Sequence, residues 1–207
     1  MYRPAHFAED RISVLHDAIR RVGLGLLVTV GPDGIEANHI PMVLDPSPAP
    51  YGTLYGHLAR ANRQWSHGGD ALAIFQGPDA YVTPSWYPSK QATGKAVPTW
   101  NYTAVHAHGP LEPIEEPERL RELLTRLTER HEAGRPEPWS VSDAPADFLA
   151  TQMKATVGFA LPITRLEGKW KLSQNRTAED RAGVHGGLAA SDDPVARAVV
   201  EAMTERG

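Results

Sequence analysis

The residues best suited to chemistry fall in two polar stretches and a histidine pair. Gly56-His57-Leu58-Ala59-Arg60-Ala61-Asn62-Arg63-Gln64-Trp65 ends a strand-like run in glycine and histidine and then turns polar and basic. The change of pattern predicts the start of a helix. Backbone N–H groups at such a start, with Arg60, Asn62 and Arg63, would form a site for an anion such as a phosphate. The same spacing equally describes a solvated helix start with no ligand. Lys169-Trp170-Lys171-Leu172-Ser173-Gln174-Asn175-Arg176 closes another strand-like run with hydrogen-bonding side chains. These can satisfy a polar ligand or a helix terminus. His106-Ala107-His108 puts two imidazoles on one strand face. Such a pair can hold a metal, but a third ligand is needed and none has diagnostic spacing, so no metal site is expected. The alternative is two partly buried, hydrogen-bonded histidines. His39, in Asn38-His39-Ile40-Pro41, is a lone strand histidine, a type more often structural than functional.

These residues flank or enter a stretch from Phe75 to Gly109 that holds Phe75, Tyr81, Trp86, Tyr87, Trp100 and Tyr102, six of the chain's fifteen aromatics. Its middle, residues 84–99, has no clear periodicity. Loops of that length are usually functional or disordered, and a disordered one would be poor in aromatics. An ordered loop that covers or lines a site is expected, against the alternative of a crossover that plugs a core edge. Lys90 and Lys95 in this loop are candidates for anion contacts and equally for plain solvent exposure.

The elements that must position these groups follow from periodicity. Phe7–Val22 has the spacing of one helical face, with Arg20 and Arg21 in the last turn and Gly23 as its stop. Leu24–Val30 and Ile35–Leu44 flank Gly31-Pro32-Asp33-Gly34 and predict a hairpin. Further strands are expected at Thr53–Leu58, Leu72–Phe75, Tyr81–Thr83 and Thr99–Gly109. Glu116–His131 is an amphipathic helix through Leu120, Leu123, Leu124 and Leu127. A short helix is expected at Ala144–Met153, a hairpin over Val157–Leu172 turning at Glu167-Gly168, and helices at Ala178–Leu188 and Asp193–Arg206. Many short strands with turns between them predict a small antiparallel barrel. No linker divides the chain. One domain, 1–207, is expected, with an N-terminal helix, an inserted helix near 116–131 and a helical C-terminal region.

Composition removes several classes of function. There is no cysteine among the 207 residues, which excludes disulfides, thiolate catalysis and cysteine-built metal sites. No run of eighteen apolar residues predicts a membrane span, and the start MYRPAHFAED lacks signal-peptide character. The cytoplasm is the expected location. A formal net charge of −4 argues against a protein that blankets nucleic acid, although a local basic patch is compatible with it. The dinucleotide fingerprint, phosphate loop and nucleophile elbow are all absent.

Several short sequence words occur in a fixed order. They are Met1-Tyr2-Arg3-Pro4 with His6-Phe7, Asn38-His39-Ile40-Pro41, Gly56–Asn62, Phe75-Gln76-Gly77-Pro78 and Tyr81–Tyr87. Val97–Tyr102, Val105–Gly109 and Lys171–Arg176 follow. Together they resemble the PaiB-type family of FMN-binding negative transcriptional regulators, over most of the chain. The resemblance implies an antiparallel split β-barrel that binds FMN, mainly β with flanking helices, and a homodimer with flavin at the subunit interface. It puts His39 and the turn His57–Asn62 near the flavin ring edge and phosphate, with Arg60 and Asn62 on the phosphate. Gln76 joins the cofactor wall. Trp100 and Asn101 would reach the partner subunit's flavin, and Lys171, Ser173, Gln174, Asn175 and Arg176 would close the same pocket. No helix-turn-helix signature accompanies these words, so FMN binding is implied more directly than DNA binding. Two other functions fit the same residues. One is a flavin-dependent oxidoreductase with residues 84–99 as lid. The other is a protein for haem or another planar ligand, using His39, His57, His106 or His108.

Overall fold

The computed structural model describes residues 1–205. In chain order the elements are β1 (Ala8–Glu9), α1 (Ile12–Val22), β2 (Leu24–Gly31), β3 (Gly34–Asp45), β4 (Thr53–Ala59), β5 (Asp70–Val82) and α2 (Pro88–Thr93). They continue as β6 (Thr99–Pro110), β7 (Glu112–Ile114), α3 (Pro117–Glu132), α4 (Ala146–Lys154), β8 (Thr156–Pro162), β9 (Arg165–Lys171), α5 (Ala178–Ala189) and α6 (Pro194–Glu205). Short 3-10 turns lie at Ala5–Phe7, Arg63–Ser66, Pro84–Trp86 and Val141–Asp143. The strands pair antiparallel wherever their registers are defined. No helix among the described residues is long and apolar enough to cross a membrane.

The chain packs as two compact units. One comprises Ile12–Phe75 and His106–Leu166, and the other Met1–Arg11, Gln76–Val105 and the chain from Glu167 onward. In the first of these, β2 and β3 form the expected hairpin, with Gly31 opposite Gly34 across Pro32-Asp33. The strand order there is β5-β2-β3-β4-β8-β7. Helix α3 lays Leu123 and Leu127 on Val43, Ile114 and Ala160, with Tyr55 packed alongside. Burying each leucine stabilises the unit by about 1.5–3 kcal/mol. The helix comes so close that a Cβ on Gly158 would lie 2.7 Å from Leu123 Cδ2. On α1, buried Leu15 and Ile19 face the core. The helix ends where Gly23, at φ +66°, donates its N–H to Ile19 O.

In the second unit β1 pairs with β9, with Ala8 opposite Lys169 and Glu9 opposite Gly168. Helices α5 and α6 bury Val184, Leu188, Ala196, Val199 and Met203. Asp180 of α5 ties down α2 by accepting hydrogen bonds from Ser89 N at 3.0 Å and Ser89 Oγ at 2.6 Å.

Four expectations are corrected. The first helix starts at Ile12 rather than Phe7, because Ala8 and Glu9 are used as a strand. The Glu9 carboxylate there is occupied by Arg11 N, Nε and Nη2 at 2.7–3.0 Å. The separate strands expected at Leu72–Phe75 and Tyr81–Thr83 are one strand, β5. Gln76 spans the Gly77-Pro78 interruption by donating from Nε2 to Asp79 Oδ2 at 2.9 Å. No hairpin joins β8 to β9. Both edges of β8 are taken, by β4 and β7, so Glu167 and Gly168 lie inside β9. The turn falls instead at Ile163-Thr164, where these N–H groups donate to Gly52 O and His108 O. Finally, no long helix follows Asn62; the chain makes only the single 3-10 turn Arg63–Ser66. Arg206, the last residue of the expected C-terminal helix, lies outside the described residues.

Candidate functional site

The end of β9 and the start of β6 build a polar hollow in the second unit. Thr99 and Asn101 are two apart in β6 and so share a face. Thr99, Asn101, Lys171, Ser173, Asn175 and Arg176 line a cavity of about 40 Å³, close to the volume of one water or one oxyanion oxygen. Asn101 is fully buried; its Oδ1 accepts from Ser173 Oγ at 3.1 Å and its Nδ2 faces Met203 Sδ at 3.8 Å. Ser173 sits at φ +66°, a region non-glycine residues seldom occupy. Strain of that kind costs on the order of 1–3 kcal/mol and persists only where the surroundings fix it. Here Gln174 fixes it, since its Oε1 accepts from Leu172 N at 2.7 Å and its Nε2 donates to Trp170 O at 2.6 Å. Gln174 is thereby spent on its own backbone. Arg176 N closes the turn by donating to Ser173 O at 3.0 Å.

The electrostatics of the hollow favour an anion. Lys171 donates to Thr99 Oγ1 and to the Trp100 carbonyl. Burial pushes its ammonium below the usual lysine range, and the nearby Lys169 and Arg176 push it in the same direction. The Arg176 guanidinium lies 4.8 Å over the ring of Tyr87, whose buried hydroxyl has no partner among the described residues. Neither Lys171 nor Arg176 is ion-paired to a carboxylate among the described residues. Two crowded cations and the neutral donor Asn175, with no carboxylate lining the hollow, match the donor set an oxyanion requires.

The other expected site residues lie elsewhere. Trp100, next to Asn101 but on the opposite strand face, is 52% exposed and meets Tyr81 edge-on at 6.0 Å. Both line an open cleft of about 680 Å³ with Trp86, Leu188, Asp79 and Asp193. Gln76, within β5, is exposed. In the other unit His39 is exposed, opposite Leu26 on β2. His57 is half-buried on β4. Its Nδ1 has no partner among the described residues, and burial lowers its pKa so that the neutral imidazole is favoured. Arg60 is engaged internally, donating to Glu115 Oε2 at 2.7 Å, Lys154 O at 2.9 Å and Thr156 O at 3.3 Å. The Asn62 side chain caps the 3-10 turn through Gln64 N at 3.0 Å. His106 and His108 have ring centroids 6.3 Å apart, and His108 Nδ1 lies 3.0 Å from Arg165 Nη2. The loop 84–99 is ordered, as the Pro84–Trp86 turn and then α2, which ends at Gly94 with φ +70°. Lys90 and Lys95 on it are exposed. Sequence reasoning missed Thr99; its position two residues before Asn101 on one strand face was the available signal.

The strands and flanking helices define an antiparallel split β-barrel of the flavin-binding kind. The chain belongs to the family described as "Putative FMN-binding domain", whose model matches residues 1–165. It is 32% identical over 209 residues to the protease synthase and sporulation protein PAI 2 of Bacillus subtilis, covering 100% of this chain and 98% of that protein. It is 35% identical over 255 residues to a protein of Aspergillus fumigatus, covering 100% and 98%. Among solved structures, the FAD and heme binding protein from Mycobacterium smegmatis aligns with a TM-score of 0.58 at 19% identity, covering 84% of this chain and 77% of that one.

Proposed function

We propose that the protein binds FMN, with the Lys171–Arg176 turn and the start of β6 holding the anionic end of the cofactor. The observation that carries this reading is the convergence of Lys171, Ser173, Asn175 and Arg176 on one hollow without a carboxylate. Arg176 and Lys171 would supply charge, and Asn175 would orient the phosphate oxygens. Ser173 and Asn101 would act from behind: the Ser173 hydroxyl, spent on Asn101 Oδ1, fixes the turn. Gln76 stands in the reading as a contact to the rest of the cofactor. His39, His57, Arg60 and Asn62, in the other unit, are contacts that the family resemblance alone implies, and Arg60 could serve only if its bond to Glu115 opens. FMN would supply an electron-accepting ring, and these residues would bind and orient it.

The reading extends to a cytoplasmic homodimer in which Trp100, exposed beside Tyr81, faces the partner subunit, and residues 1–207 act as one domain. The resemblance of the ordered sequence words to PaiB-type negative transcriptional regulators supports a regulatory role. The acidic chain favours regulation through a small molecule or a partner over direct DNA binding. A second reading, a flavin-dependent oxidoreductase, is favoured by the open aromatic cleft at Tyr81, Trp86 and Trp100, which could seat a planar substrate.

The test is the visible spectrum of freshly purified protein, followed by titration with FMN. Saturable binding with flavin bands supports the reading, and its absence removes the cofactor. A Soret band would move the reading to haem. NAD(P)H consumption with FMN-loaded protein would separate the enzyme from the regulator. Anisotropy titration with promoter DNA at varied salt tests direct repression.

A further inference from the structure

The excursion between β7 and β8 encloses a second cavity, in the unit formed by Ile12–Phe75 and His106–Leu166. It measures about 390 Å³, and its walls include Leu120 of α3 and Leu149 and Met153 of α4. The volume falls within the roughly 300–1,000 Å³ of small-molecule sites. Helix α4 has no buried residue. It rests on the half-buried Leu149 and Met153, so a cavity stands where a packed helix interface would be expected.

The rim is charged, and the charges do not cancel. Arg60 and Glu115 are paired at 2.7 Å, which neutralises the only carboxylate among the described lining residues. Arg121 and Lys154 form no ion pair among the described residues. Both are exposed at the cavity. Two uncompensated cations beside an apolar wall stand out on a chain of net charge −4. We propose that this pocket binds a small amphipathic organic anion, a carboxylate carrying an apolar chain or ring. The apolar body would lie on Leu120, Leu149 and Met153, and the carboxylate would meet Arg121 and Lys154. The pocket shares no residue with the Lys171–Arg176 hollow, and the proposal stands whether or not FMN binds there.

The test is calorimetric titration of the full-length protein with sodium octanoate and with 3-phenylpropanoate. Saturable binding that weakens with salt is expected. An Arg121→Gln/Lys154→Gln double variant, which alters only exposed side chains, should bind about tenfold or more weakly through loss of two charge-assisted contacts. Met153→Trp should fill the cavity and abolish the binding heat while FMN titration and thermal unfolding stay as in the parent. Absence of saturable binding with both acids overturns the proposal. So does unchanged affinity in the double variant, or 1-octanol binding as tightly as octanoate.

Discussion

Ser173 and Asn101, 72 residues apart, are joined by a buried hydrogen bond of 3.1 Å from Ser173 Oγ to Asn101 Oδ1. That bond couples a strained turn to the first residues of β6, and so sets where Lys171 and Arg176 stand. Removing one partner leaves the other buried and unsatisfied. Asn101→Ala should therefore cost about 1–3 kcal/mol of stability in urea denaturation. It should also weaken FMN binding. A variant as stable as the parent would mean that the bond does not organise the turn.

Arg176 and Arg60 make contrasting predictions. Arg176→Ala should weaken FMN binding by about 1.5–3 kcal/mol, the size of a lost charge-assisted hydrogen bond. Arg60→Ala should leave FMN affinity nearly unchanged, because the guanidinium is occupied by Glu115 and the Lys154 carbonyl. Its effect on stability should be small, since the pair is partly exposed. Fluorescence quenching of FMN by both variants checks this, and a reversed order would move the phosphate to the Arg60 turn.

Lys171 should report on anion binding through protons. Its folded-state pKa lies below the usual lysine value, chiefly through burial. Between that lowered value and the unfolded value near 10.5 the unfolded chain binds more protons, so this group makes stability rise with pH across the window. A bound phosphate would raise the pKa again. FMN binding within that window should take up protons, seen as a dependence of calorimetric heat on buffer ionisation enthalpy. Lys171→Met should abolish that dependence.

Asp180 should shape the acid limb. Its pKa is lowered first by the Ser89 side chain, then by the Ser89 backbone N–H, with a smaller contribution from Arg176. The stability it contributes is fully present above the unfolded value near 3.8 and is lost as pH falls through the lower folded value. Asp180→Asn should flatten this part of the stability–pH curve and loosen α2, measured by acid unfolding and by proteolysis within residues 88–94.

Gly187 should tolerate no side chain. A Cβ there would lie 2.3 Å from the Trp86 indole. Gly187→Ala should displace Trp86 and lower the unfolding temperature, whereas Gly186→Ala one residue away has open space and should raise helix stability by roughly 0.5–1 kcal/mol. Trp fluorescence during thermal unfolding separates the two.

The sequence by itself determined the local elements. Period-two alternation and Gly31-Pro32-Asp33-Gly34 dictate the β2–β3 hairpin, because side-chain period and turn chemistry are local properties. The spacing of Leu120, Leu123 and Leu127 does the same for α3, and the ordered sequence words marked the family. Tertiary structure decided what each side chain is used for. Arg60 reads as a free cation until Glu115 and the Lys154 carbonyl, 55 and 94 positions away, occupy it. Thr99 reads as an unremarkable strand residue until Lys171 bonds to it. The 157–172 segment reads as a hairpin until β4 and β7 claim both edges of β8. Hydrogen-bonding groups are satisfied by whatever the fold brings within about 3 Å. Partners that distant in the chain leave no periodicity in the sequence to reveal them.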